Sequence, residues 1–197
     1  MSASGCDARR LTKALSRHTI GELWRIIPSA FADEPLGSGP GESRFRARDA
    51  AYRLVYTAST VDTAICETLV RDRFGRRVAV RELGAAEVEA RSIVRLSGEA
   101  DARFALLDLR DGGPLRIGAP SAVIGDRRLR AGQTLGAALH SLVPEADCIL
   151  YPSRLTGAVC IAFFASRIAS LQVLDVEPLL TRPELLSTLE GFDISLV

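Results

Sequence analysis

The order of strand-like and helix-like runs constrains this chain more than any other feature. Apolar runs of strand length recur at LWRII (23–27), RLVYTAS (53–59), RRVAVREL (76–83), RSIVRL (91–96), RFALLDLRD (103–111), ADCILYPSR (146–154), AVCIAFFAS (158–166) and SLQVLDV (170–176). Helical patterns fall at about 60–72, at TLGAALHSLV (134–143) and in PELLSTLE near the end. Parallel strands need a crossover connection, usually a helix, between them. That regular alternation is missing. The sequence therefore predicts an α+β fold, with helices packed on mainly antiparallel sheets.

The stretch RLVYTASTVDTAICETLVR (53–71) carries the most chemistry. A strand runs straight into a helix that Ser59 or Thr60 can cap, with Asp62 in the first turn where a negative charge suits the dipole. Alternation puts Leu54, Tyr56 and Ala58 on one strand face. Val61, Ala64, Ile65, Thr68 and Leu69 form the helix's core stripe, and Glu67 lies on its flank. Two readings stay open for Glu67. It is a surface residue paired with Arg71 at i+4, or it looks across the junction toward the end of the Tyr56 strand. On the 134–143 helix, Leu135, Ala138, Leu139 and Leu142 form one apolar face.

Arg25 interrupts LWRII on the face of Leu23 and Ile27. A buried arginine needs an anionic partner, either a structural carboxylate or a ligand phosphate. The stretch 31–50 is rich in Gly, Pro and Ser and reads as a long loop, of the kind that is usually functional or disordered. Its GSGPGESRF segment is neither a dinucleotide fingerprint nor a P-loop, but Arg44 and Arg46 follow on one side of an extended segment. YPSRLTG (151–157) sets Ser153 and Arg154 where a buried strand emerges, which is also the place for a simple turn.

Composition narrows the classes. Net charge is +1, so no global basic field points to nucleic acid. Lys13 is the single lysine. Arginine suits bidentate binding of phosphate or carboxylate, although GC-rich coding gives the same bias. Cys6, Cys66, Cys148 and Cys160 form no C-x-x-C pair, and three sit in apolar runs, which fits a reducing cytoplasm. No apolar run reaches the ~20 residues that span a bilayer. With two histidines, His18 and His140, neither a zinc site nor a Ser-His-Asp triad has support. The expected organisation is an arm or short helix over 1–20, a main domain over 21–180 and a helical tail over 181–197 packed on it.

These pieces resemble the RES family, the toxin half of bacterial RES–Xre toxin–antitoxin systems. The resemblance rests on LWRI with Arg25, SRF with Arg44, LVYTASTVDTAICETL with Tyr56 and Glu67, ILYPSR with Ser153, the TLGAALH helix and CIAFF. It covers about residues 21–176. It implies a fold similar to ADP-ribosyltransferases, with NAD bound in a cleft between two small sheets. It also implies an enzyme that consumes NAD as substrate, without metal or cofactor, with inorganic phosphate or water as acceptor. Under it, Glu67 stabilises positive charge on the ribose, Tyr56 packs against nicotinamide, Arg25 and Arg44 grip phosphate, and Ser153 hydrogen-bonds a phosphate or the nucleophile. An Xre-like antitoxin is the implied partner, and a homodimer within that complex stays open. A mono-ADP-ribosyltransferase acting on a host protein and a non-catalytic nucleotide-binding module are the other readings. The chain departs from the family at ESRF, since glycine and tryptophan commonly flank the arginine of that loop.

Overall fold

Strand pairing is set out in a computed structural model that describes residues 7–39, 41–47, 49, 51–71, 73–74 and 80–197. The strands are β1 (Leu15–His18), β2 (Leu23–Pro28), β3 (Leu54–Ala58), β4 (Glu82–Leu83), β5 (Arg91–Gly98), β6 (Phe104–Asp108), β7 (Cys148–Pro152), β8 (Val159–Phe164), β9 (Leu171–Pro178) and β10 (Ser195–Leu196). The α-helices are α1 (Ala8–Ala14), α2 (Val61–Ile65), α3 (Ala85–Glu89), α4 (Gly113–Arg116), α5 (Ala122–Gly125), α6 (Arg130–Leu142) and α7 (Glu184–Glu190). The fold is α+β. The expected strand at 76–83 lies partly outside the described residues; of its described part, Glu82–Leu83 form β4 and residues 80–81 are not strand.

Eight strands form one sheet in the order β1-β6-β7-β8-β3-β2-β5-β9, antiparallel at every step except β6–β7. The expectation of two small sheets is therefore corrected. The reason is a single backbone bridge, Trp24 opposite Ala58, which joins β2 to β3. By contrast, β2 pairs with β5 from Leu23–Leu96 to Pro28–Arg91, and β3 with β8 along its whole length. Past the bridge β2 and β3 part, and the large sheet carries a seam there. The other sheet is a short parallel pair, β4 with β10. LSRH, within the expected N-terminal arm, is an edge strand on β6.

Apolar side chains are buried on both faces of the large sheet. Leu54, Tyr56 and Ala58 face one core with α2, α6 and α7, and Val55 faces the other, as strand alternation requires. Leu185 and Leu189 seat α7, and the Thr188 hydroxyl donates to Asp62 Oδ1 at 2.7 Å. On α6 the expected apolar face is revised. Leu135 and Leu139 are buried but Leu142 is 47% exposed, and Gly132 and Gly136 occupy the buried stripe. A Cβ at Gly132 would overlap the Arg44 backbone, and one at Gly136 would overlap the Phe45 carbonyl. Bare glycine backbone thus lets the 43–47 loop lie directly on the helix. Among the described residues no helix is long and apolar enough to cross a membrane.

Candidate active site

The helix that follows β3 sets the site. Thr60 caps it by accepting from the Thr63 amide at 3.2 Å. At Cys66–Val70 the helix widens into a π-turn, in which the Arg71 amide donates to the Cys66 carbonyl, five residues back, at 2.8 Å. Such turns are frequent at functional sites. The widening brings Cys66 and Val70 into the core with Ile65 and Leu69 and leaves Thr68 exposed. The expectation that Thr68 belongs to the core stripe fails for this reason, since it assumed 3.6 residues per turn throughout.

Glu67 sits in the π-turn, half-buried, and both of its oxygens are engaged. Ser153 Oγ donates to Oε1 at 2.7 Å, and Arg71 Nη1 pairs with Oε2 at 2.8 Å. Ser153 is buried, and its hydroxyl oxygen accepts the amides of Leu155 and Thr156 at 3.2 and 3.3 Å. A second tie, Thr63 Oγ1 to Thr156 Oγ1 at 2.9 Å, fastens the same turn to α2. The Arg71 pair and a cleft-facing Glu67 are therefore both true. The Ser153 proton is committed to the carboxylate, so here Ser153 fixes Glu67 instead of offering a free donor to a ligand.

A cleft of about 280 Å³ opens at the seam. Trp24, Arg25 and Ile26 of β2 line it, with Tyr56 of β3, Glu67, Thr68 and Arg71 of the helix, Tyr151, Cys160, and Ser43 and Arg46 of the loop. Because β2 has lost its neighbour there, residues from both of its faces reach one cavity. Arg25 Nη2 donates to the Gly37 carbonyl at 3.0 Å, while its Nε and Nη1 are buried with no hydrogen-bond partner. Burial pushes the guanidinium down to about 10, so it stays cationic near neutral pH. Leaving a buried donor unpaired costs ~1–3 kcal/mol, and such a group calls for an acceptor. Among the described residues, those two nitrogens are the buried side-chain donors left without one.

Tyr56 lines the cleft with its hydroxyl accepting the Phe45 amide at 3.1 Å, and burial raises its pKa. The Tyr52 hydroxyl donates to the Phe45 carbonyl, and the buried Phe45 ring meets Tyr151 edge-on at 5.1 Å. Those contacts pin the ESRF loop. Arg44 does not line the cleft. It is buried behind the wall, Nη1 donating to the Asp126 carbonyl at 2.9 Å. Burial, then the neighbouring Arg154, lowers its pKa, and Glu67 lies within its electrostatic reach. Arg46 lines the cleft in its stead, with Nη1 donating to the Gly39 and Gly41 carbonyls at 2.8 Å each.

Of the residues singled out from sequence, Arg25, Tyr56 and Glu67 meet at the cleft, Ser153 supports Glu67, and Arg44 stands behind. Trp24, Tyr151, Cys160 and Arg46 were not proposed as site residues. Their only signal was adjacency to Arg25, Ser153 and Arg44 or a place in an apolar strand. The Cys160 thiol is pushed up to about 12, chiefly by burial, and so stays protonated. His140 stacks on Tyr52 at 4.5 Å, away from the cleft. Among the described residues no group of three or more His, Cys, Asp or Glu could hold a metal.

Fold and site define an α+β protein with a tethered carboxylate and an under-partnered arginine at a seam in its sheet. A family model of the RES domain matches residues 22–182, and the chain belongs to that family. Among solved structures, the M. tuberculosis MbcT–MbcA toxin–antitoxin complex contains a chain of similar fold, with a TM-score of 0.65. The match has 14% identity and covers 89% of this chain and 92% of that one. No curated protein sequence matches this chain.

Proposed function

We propose that this chain cleaves the nicotinamide–ribose bond of NAD, passes the ADP-ribosyl unit to inorganic phosphate or water, and acts as a toxin restrained by a cognate antitoxin. The observation that carries the reading is the Glu67 carboxylate, fixed by Ser153 and Arg71 in the same cleft as the two unpartnered guanidinium nitrogens of Arg25. Arg25 grips the pyrophosphate with charge-assisted hydrogen bonds. As the C–N bond breaks, its electron pair leaves on neutral nicotinamide and the ribose takes on oxocarbenium character, as in glycoside cleavage. Glu67 stabilises that charge from a position that needs no rearrangement. The face of Tyr56 packs against nicotinamide. An oxygen of phosphate or water then bonds to the ribose carbon and releases its proton to solvent. Arg44, behind the wall, adds positive potential.

Membership of the RES family and a fold shared with a chain of a toxin–antitoxin complex support the toxin reading. A peptide carboxylate from an antitoxin can imitate substrate phosphate at Arg25. The test is to incubate purified protein with NAD, with and without phosphate, and identify products by mass. Phosphorylated ADP-ribose, free ADP-ribose and a protein adduct identify phosphate, water and protein acceptors. Intact NAD in every arm overturns the proposal. Growth arrest on expressing the chain alone, relieved by the neighbouring gene's product, tests the toxin role.

A further inference from the structure

Trp24 is the chain's one tryptophan. It lines the cleft beside Arg25 and supplies the bridge that closes the seam. One face of its ring is occupied by the Arg182 guanidinium, 4.9 Å from the ring centroid. Arg182 is itself clamped. Nη1 pairs with Glu177 Oε1 at 2.8 Å, while Nη2 and Nε reach the two oxygens of Glu184 at 2.7 and 3.2 Å. Two carboxylates, one at the end of β9 and one opening α7, thus hold a cation against an aromatic wall of the cleft. Neither the reaction nor the family signature uses this arrangement.

We infer that Trp24 seats the adenine base of the dinucleotide and that Arg182 positions the ring for it; this rests on the NAD reading above. The nicotinamide of NAD is a cation, and Arg182 already draws the indole's π-density toward its own face. A second cation gains little there, whereas a neutral purine stacks or packs edge-on without that penalty. Connectivity agrees. Arg25, next to Trp24, has the unpaired donors suited to pyrophosphate, and adenosine follows the pyrophosphate in the dinucleotide. Glu67 and Tyr56 are left for the reacting half.

The lone tryptophan makes the test direct. AMP should quench Trp24 fluorescence saturably, and nicotinamide mononucleotide should not. Trp24→Leu should raise the KM for NAD about tenfold, the size expected for one lost base–ring stack, with kcat nearly held. Trp24→Phe should keep most of the affinity. Arg182→Met should raise KM and shift the tryptophan emission, and Arg182→Lys should restore both in part. Quenching by nicotinamide mononucleotide with AMP silent overturns the inference. So does bound AMP, measured by equilibrium dialysis, that leaves the emission unchanged. Normal KM in Trp24→Leu with NAD turnover intact sinks this inference alone. AMP quenching in a protein that never turns over NAD sinks the reaction and keeps the adenine seat.

Discussion

At Glu67 both carboxylate oxygens and the supporting Ser153 hydroxyl have partners, whereas at Arg25, in the same cleft, two guanidinium nitrogens have none. Arg44 sharpens the contrast, because its Nη1 is satisfied by a backbone carbonyl away from the cavity. The carboxylate corner is finished before any ligand arrives, so it can act on developing charge without reorganising. The arginine corner keeps two donor nitrogens unpaired, which the proposed reading fills with the substrate's pyrophosphate. Under the proposed reaction, one corner serves the transition state and the other serves binding.

Removing the finished corner should have the largest effect. Glu67→Gln keeps the shape and loses the charge, and NAD turnover should fall ~10²–10³-fold, the range seen when one transition-state electrostatic contact is lost. The melting temperature should move little, and a folded variant with normal turnover would break the comparison. Arg25→Met should weaken NAD binding by ~1.5–3 kcal/mol, the worth of a charge-assisted contact. It should hold or raise the melting temperature of the ligand-free protein, because an apolar chain replaces a buried, under-partnered charge. A marked drop in melting temperature with normal affinity would make Arg25 a structural residue after all.

Ser153→Ala should come next. It frees one carboxylate oxygen of Glu67 and leaves the Leu155 and Thr156 amides without their acceptor. Leu155 and Thr156 are exposed, so water can take over their amides, and losing the bond to Glu67 should cost about 1 kcal/mol in stability and about tenfold in kcat, with KM nearly unchanged. A KM effect as large as that of Arg25→Met would give Ser153 a direct ligand contact. The smallest effect is with pH. Burial lowers the folded Arg25 pKa to about 10, below the ordinary arginine value. Its burial penalty is therefore fully present below about 10 and is relieved as pH climbs from there toward the ordinary arginine value. Ligand affinity due to Arg25 should stay flat through neutral pH and fail only near pH 10. Titrating affinity for wild type against Arg25→Met checks it.

Much of this contrast was legible from local pattern. Alternation put Tyr56 on the face of Leu54 and Ala58, and a cap at Ser59 or Thr60 placed the helix start, where the structure has Thr60. Arg25 stood out because a charge in LWRII had to be explained. What could not be read depended on distant pieces. Whether Arg44 or Arg46 enters the cleft depends on how the loop lies, and Gly132 and Gly136, some ninety residues on, let it settle on α6. The seam depends on a single bridge, Trp24 to Ala58, and no periodicity records how many residues of two strands pair. LSRH was missed because its polar pattern matches a solvated arm as well as an edge strand. The π-turn was hidden because apolar Ile65, Cys66, Leu69 and Val70 suit a wide turn and an ordinary one alike.

That π-turn makes the length of the segment part of the chemistry. Each residue of an α-helix advances the direction of its side chain by about 100°. Deleting Leu69 would let the helix tighten while keeping Glu67 and Thr68, the two residues of this turn that line the cleft. Either Glu67 or the apolar pair behind it would then face the wrong way. A substitution here can be graded by size and charge, but a one-residue deletion acts as a switch between alignments of two surfaces. Sequences related to this one should tolerate changed letters across 66–70 far better than a changed count.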